Sequence, residues 1–273
     1  MTAKPQAVPM TESRLEFIEM LQRPAWLRLF YLLLFLLVWE AGARLYNNPL
    51  FLSPPSEVAA ALVTILSDGG VLHALAQALF EILVAFFLSV VIGAALGLAI
   101  GLSRFAYHTF YKIIVVLYGI PKVTIFPLIL LYFGIGAGTK IAFGFVHGVF
   151  PILVAVVAGV QNPDANLVKA AAAMGAKRRH FFRWVIFPQL VPSLFTGMRL
   201  GMAGVLLGVI LAELYVSYFG IGYYTTRFSQ NFEPAKLFAL VGTLAAMAIA
   251  LNETLRRLEI RFTRWSVTAL GAA

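Results

Sequence analysis

Six stretches, approximately residues 26–45, 74–101, 112–133, 140–160, 189–216 and 235–256, are runs of apolar positions with few charges, separated by segments that are polar or bear Pro and Gly. About 20 mainly apolar residues cross roughly 30 Å of hydrocarbon, so each run predicts a membrane-spanning helix and each separator a loop. The longest remaining pieces, 1–25, 46–73 and 161–188, are each too short to fold alone. The expected organisation is all-α and polytopic: an N-terminal segment 1–25, a membrane domain 26–265 enclosing a long loop 161–188, and a short tail 266–273.

Leu32 to Val38 followed by Ala41-Gly42-Ala43 also fits the core and cleavage site of a secretory signal, but the 25 mostly polar residues ahead of it exceed an ordinary n-region. An uncleaved first helix is the better reading. Ahead of it, Leu15, Ile18 and Leu21 fall at helical spacing and Ser13 with Glu16 forms a capping box, which predicts an amphipathic helix over Thr11 to Arg23 lying on the membrane surface.

Composition agrees with the pattern: 61% of residues are hydrophobic and 12% charged, against about 45–50% and 25% in soluble domains. With no cysteine, disulfides, thiol chemistry and cysteine-ligated metals are excluded. The net charge of +9 raises the question of a nucleic-acid partner, and the placement of the basic residues answers it. Arg44, Lys140, Arg227 and Lys236 fall in loops on one side, Lys122 and Arg199 fall inside spans, and the other 15 of the 21 Lys and Arg lie on the opposite side. By the positive-inside rule both termini are cytoplasmic. The excess is a topology signal, and no basic patch is interleaved with a nucleic-acid-binding motif.

Gly93, Gly97 and Gly101 share one helical face, and Gly144 with Gly148, Gly197 with Gly201, and Gly204 with Gly208 repeat the spacing. Such faces let helices approach closely, either within one subunit or between two copies. Pro121, Pro127 and Pro151 interrupt the third and fourth spans, an arrangement suited to a pathway that opens and closes and equally to static kinks filled by neighbouring helices. The ionisable residues within spans are Glu40, Glu81, Lys122, Arg199 and Glu213. Each costs about 2.5–3.5 kcal/mol at a helix centre on insertion scales and must be paired or wet. Arg199, near the end of its span, can snorkel. Lys122, Glu213 and Glu81 are the candidates for a translocation pathway, and a structural acid–base pair accounts for them as well.

An intramembrane enzyme is the competing class, together with a scaffold. The two aspartates, Asp68 and Asp164, fall in loops on opposite sides and form no dyad, and His73, His108, His147 and His180 are scattered without metal-ligand spacing. Mid-span His147 reads as a structural histidine. Gly134 to Lys140 lacks the ending of a phosphate-binding loop. A passive channel would leave the long loop without a purpose.

That loop, Asn162 to Pro188, reads NPDANLVKAAAAMGAKRRHFFRWVIFP. Asn162-Pro163 opens a helix, Leu167 to Met174 are strong helix formers, Gly175 ends it, and Lys177, Arg178, Arg179 and Arg183 flank it. The segment resembles the E-A-A…G…I-x-L-P loop of ABC importer permeases. Lys169-Ala170-Ala171 stands where that pattern has E-A-A, Gly175-Ala176 follows at its spacing, and Val185-Ile186-Phe187-Pro188 closes it, with Lys169 replacing the family's glutamate and Val185 and Phe187 its isoleucine and leucine. Phe51 to Val58, Ile120 to Pro127, Leu131 to Gly136, Ala212-Glu213 and Phe219 to Tyr223 resemble further signatures of the nitrate, sulfonate, taurine and bicarbonate group, in order, over approximately residues 30–265.

The resemblance implies the type I importer permease (MetI-like) fold with six transmembrane helices in a bacterial inner membrane. It also implies a second copy of the chain, two ATPase subunits carrying ATP and magnesium, and a periplasmic or lipid-anchored substrate-binding protein. The solute would be a small anion such as a sulfonate, taurine or nitrate. Lys169, Ala170, Ala171, Gly175, Ala176, Val185 and Pro188 would belong to the ATPase-coupling loop, and the chain would have no catalytic residue, metal or cofactor of its own.

Overall fold

The computed structural model describes residues 24–48, 50–216 and 219–263, so the expected amphipathic helix at Thr11 to Arg23 lies outside the described residues. Among them no strand occurs. The order is α1 (Pro24–Tyr46), α2 (Pro55–Ser67), α3 (Gly69–Leu102), α4 (Arg104–Gly119), a 3₁₀ turn (Lys122–Ile125), α5 (Phe126–Phe133), α6 (Ala137–Gln161), α7 (Ala165–Ala173), α8 (Arg178–Phe181), a π-helical turn (Phe182–Ile186), α9 (Phe187–Val216), α10 (Ile221–Gln230) and α11 (Pro234–Phe262).

The apolar runs become helices close to where the pattern put them. Five are long and apolar enough to cross a bilayer: Trp26–Tyr46, Gly69–Leu102, Ala137–Gln161, Arg179–Val216 and Pro234–Phe262. The third predicted span, 112–133, is not one straight helix. Arg104–Gly119 and Lys122–Phe133 meet at 87°. Pro121 has no N–H with which to continue the ladder of α4, and it holds Ile120 in an extended conformation (φ −67°, ψ 134°). The chain restarts with Thr124 N–H donating to the Pro121 carbonyl at 3.1 Å. Pro127 sits in the first turn of α5, where it costs no hydrogen bond. Pro151, by contrast, lies inside a continuous α6. A second correction concerns the loops: 46–73 holds α2 and the start of α3, and the loop after the fifth span holds α10.

In lipid, apolar surface gains little from leaving its solvent, so helix association depends on close packing. The glycine faces provide it, and they meet within one chain. A Cβ at Gly97 would stand 2.7 Å from Val156 Cβ, and one at Gly101 2.9 Å from Val160 Cβ, so α3 lies backbone-close to α6. From the other side, a Cβ at Gly197 would come 2.7 Å from Ala155 Cβ and one at Gly201 2.7 Å from Ile152 Cδ1, which brings α9 equally close to α6. Gly204 lies against the His147 carbonyl, the acceptor that Pro151 deprives of its helical donor. Ile82, Phe86, Ile152, Val156, Met202 and Val205 fill the spaces between these contacts.

Around this three-helix seam, Ile65, Val71, Ala78, Ile221, Phe228 and Leu240 join α2, α3, α10 and α11 in a second core at one end. The α1 helix stands apart: only 6% of its most apolar window is buried. It is held by Trp39 against Phe238 (ring centroids 5.7 Å) and by Glu40, which accepts from Arg44 Nε at 2.6 Å, Ser56 N at 3.0 Å and Ser56 Oγ at 2.9 Å.

Candidate functional site

Two constructions stand out, one at each end of the bundle. The first is a buried cluster of charge. Lys140, in the first turn of α6, is 5% exposed and reaches Glu213 Oε1 of α9 at 3.0 Å and Glu81 Oε1 of α3 at 3.1 Å. Glu81 Oε1 also accepts from Gln77 Nε2 at 3.0 Å, and Glu213 Oε2 accepts from the Gly222 N–H of α10 at 3.1 Å. Glu81 Oε2 is buried and has no hydrogen-bond partner among the described residues. Two carboxylates thus share one ammonium where water is scarce, an arrangement held by geometry because desolvation of ions is expensive. A Cβ at Gly222 would collide with the Glu213 carbonyl, so glycine there lets α10 close over the cluster.

The structure brings Glu81 and Glu213 together and leaves Lys122 apart. Lys122 Nζ donates to the Tyr118 carbonyl at 3.0 Å and lies 4.7 Å from the Tyr118 ring and 5.5 Å from the Phe150 ring. The cation that completes the cluster is Lys140, which sequence reasoning assigned to a loop. Its only signal in the sequence is its position as the first residue of the 140–160 apolar run, where a snorkelling lysine and a buried one look alike. Arg199 meets Glu259 of α11 at 3.3 Å, and His147 Nδ1 pairs with the Phe143 carbonyl at 2.9 Å.

The second construction is α7 and its junction with α9. Asp164 caps α7 by accepting from Asn166 N at 2.7 Å, and its own N–H donates to Gln189 Oε1 of α9 at 2.7 Å. At the other terminus the Ala176 N–H donates to the Ala171 carbonyl and the Gly175 N–H to the Ala172 carbonyl, both at 3.0 Å. This pair of bonds closes a Schellman turn, and Gly175 takes the left-handed conformation it demands (φ +69°). Ala171 turns inward and is buried, while Leu167 and Met174 are 50% and 81% exposed. Leu167, Ala170 and Met174, at i, i+3 and i+7, form an outward apolar stripe, with Lys169 exposed beside it. Beyond it the π-helical turn buries Val185, and Pro188 sits in the first turn of α9.

Residues 89–258 match the family described as binding-protein-dependent transport system inner membrane component. Over 258 residues the chain is 31% identical to the taurine transport system permease protein of Escherichia coli (strain K12), covering 92% of this chain and 94% of that protein. It is 28% identical to the riboflavin transport system permease protein of Chloroflexus aurantiacus, covering 87% of this chain and 89% of that one. It is 29% identical to the putative aliphatic sulfonates transport permease protein of Bacillus subtilis (strain 168), covering 65% and 66%.

Proposed function

This chain belongs to the family of binding-protein-dependent transport system inner membrane components, and from that premise we propose how it works. It is a multi-pass membrane protein and the permease subunit of an ABC importer for a small solute. In our reading two copies enclose the pathway, with both termini and α7 on the cytoplasmic face. A binding protein delivers the solute on the other face. Two ATPase subunits, which bind ATP and magnesium, each seat one α7. The solute is a small organic or inorganic anion of the sulfonate or taurine type, in line with the names of two of the relatives.

The observation that carries this reading is the α7 stripe. A helix tied at its N-terminus to α9 and closed at its C-terminus by its own Schellman turn, yet presenting Leu167 and Met174 outward, has an apolar face that its own fold leaves uncovered, which is the mark of a docking surface. Val185 and Pro188 join that face to α9, so a push on α7 reaches the membrane helix directly. The broken span supports a pathway of two copies: α4 contributes no buried residue, and Leu131 and Tyr132 of α5 are almost wholly exposed.

The test is co-purification. With the cognate ATPase and binding protein, the chain should yield an assembled complex that takes up a sulfonate when ATP is supplied. The Leu167→Asp, Met174→Asp double variant should insert normally and lose the ATPase. Retention of the ATPase by that variant would overturn the docking assignment.

A further inference from the structure

At the end of the bundle opposite α7, α10 shows two faces. Ile221 and Phe228 are buried against α2, α3 and α11. Tyr223, Thr226, Arg227 and Gln230, at i, i+3, i+4 and i+7, form the other stripe. Together with Tyr215 of α9 and Leu130 of α5 they line a recess of about 620 Å³. A cavity of roughly 300–1,000 Å³ is the size that takes small molecules.

The cations at this end differ in one respect. Arg44 is paired with Glu40, Lys236 with Glu233, and Lys140 with Glu81 and Glu213. Among the described residues no carboxylate lies within ion-pair distance of Arg227. The acidic group whose field reaches the neighbouring Tyr224 is Asp68, and its Oδ1 accepts from the Gly70 N–H at 2.8 Å. Among the described residues, none that lines the recess is acidic. It therefore holds an uncompensated guanidinium, whose N–H fork matches the oxygens of a carboxylate or sulfonate. Hydroxyl-bearing Thr226 and amide-bearing Gln230 stand one turn or less away to either side.

We propose that this recess is an anion-binding vestibule, in which Arg227 takes the oxyanion group of a small solute. As a station on a transport route it rests on the permease reading; as an anion site it stands on the recess alone. Glu213 positions it, because the residues that follow Glu213 form one wall and its carboxylate holds the first turn of α10, which carries the other.

The absence of cysteine from the chain permits a direct test on the full-length protein in membranes. Thr226→Cys places a thiol in the recess and Ser229→Cys places one on the same helix away from it. Each is treated with an anionic sulfonatoethyl and a cationic trimethylammonium methanethiosulfonate reagent. The anionic-to-cationic rate ratio should be about fivefold higher for Thr226→Cys than for Ser229→Cys. Adding Arg227→Gln should abolish that preference while Arg227→Lys retains most of it, and millimolar methanesulfonate should slow modification only where position 227 is cationic. Equal ratios at the two positions, a preference that survives Arg227→Gln, or no protection by methanesulfonate would each overturn the proposal. Uptake is not the readout, so a failed labelling result leaves the permease reading standing, and a complex that carries an uncharged solute leaves the vestibule standing.

Discussion

Lys140 Nζ and Glu213 Oε1 are 3.0 Å apart although 73 residues separate them in the chain. The contact ties the start of α6 to the end of α9, and Glu81 adds α3 at 3.1 Å. Removing the one ammonium leaves two carboxylates enclosed together, whereas removing Glu81 leaves a matched pair. Lys140→Met should therefore destabilise the subunit by about 3–5 kcal/mol, read as loss of monodisperse protein in detergent. Glu81→Gln should stay close to the parent in yield and thermal midpoint. Equal tolerance of the two variants would contradict the charge count.

The glycine seam makes a second prediction. Gly97→Leu and Gly201→Leu place side chains where a Cβ alone already stands 2.7 Å from Val156 or Ile152. Each should cost at least about 1–3 kcal/mol of overpacking. Gly42→Ala and Gly242→Ala, in helix interiors where nothing lies within 4 Å, should not lower the thermal midpoint.

At Gly175 the constraint is backbone shape alone, since φ is +69° and no atom lies within 4 Å of a Cβ built there. Gly175→Val should cost about 1–2 kcal/mol, confined to the end of α7. Membrane insertion should be normal and transport per assembled complex reduced. Gly175→Asn, which tolerates the left-handed region better, should recover most of the uptake. Transport by the valine variant at the parental rate would remove α7 from the coupling route.

Glu40 holds α1 to α2 through Ser56, and α1 has little other packing. A cysteine pair replacing Trp39 and Phe238, whose ring centroids lie 5.7 Å apart in the parent, should be bridged readily by a bifunctional maleimide. Adding Glu40→Ala should lower the cross-linking yield several-fold while the rest of the domain stays folded. An unchanged yield would place the attachment elsewhere.

Much of this architecture was legible in the sequence because the bilayer imposes a length on every crossing and a glycine face betrays a close neighbour. Pro121 announced a break, though the 87° turn depends on where α5 packs, through Phe126 on Phe143. Lys140 was not legible. Its position in the chain matches a loop lysine, and only the folding-together of positions 81 and 213 makes it a buried counter-ion. The face of α10 was missed for a related reason: ten residues of mixed polarity between two spans look like a turn until Ile221 and Phe228 find a core. The α7 motif was read by its spacing, and the structure supplies the reason for Gly175, which is the Schellman bond from Ala176 to Ala171.

The packing of α3, α6 and α9 has a kinematic consequence. Where Gly97 meets the Leu153 carbonyl and Gly204 meets the His147 carbonyl, the contact is with backbone, and no rotamer change can clear a path for one helix to slide past another. The three helices are keyed together, so any motion of one would carry the other two as a block. Outside that block the helical backbone is interrupted at Ile120-Pro121 and at the π-helical turn between α8 and α9. A cycle that alternates the exposure of a cavity would be geared by those two joints, with the block as its lever.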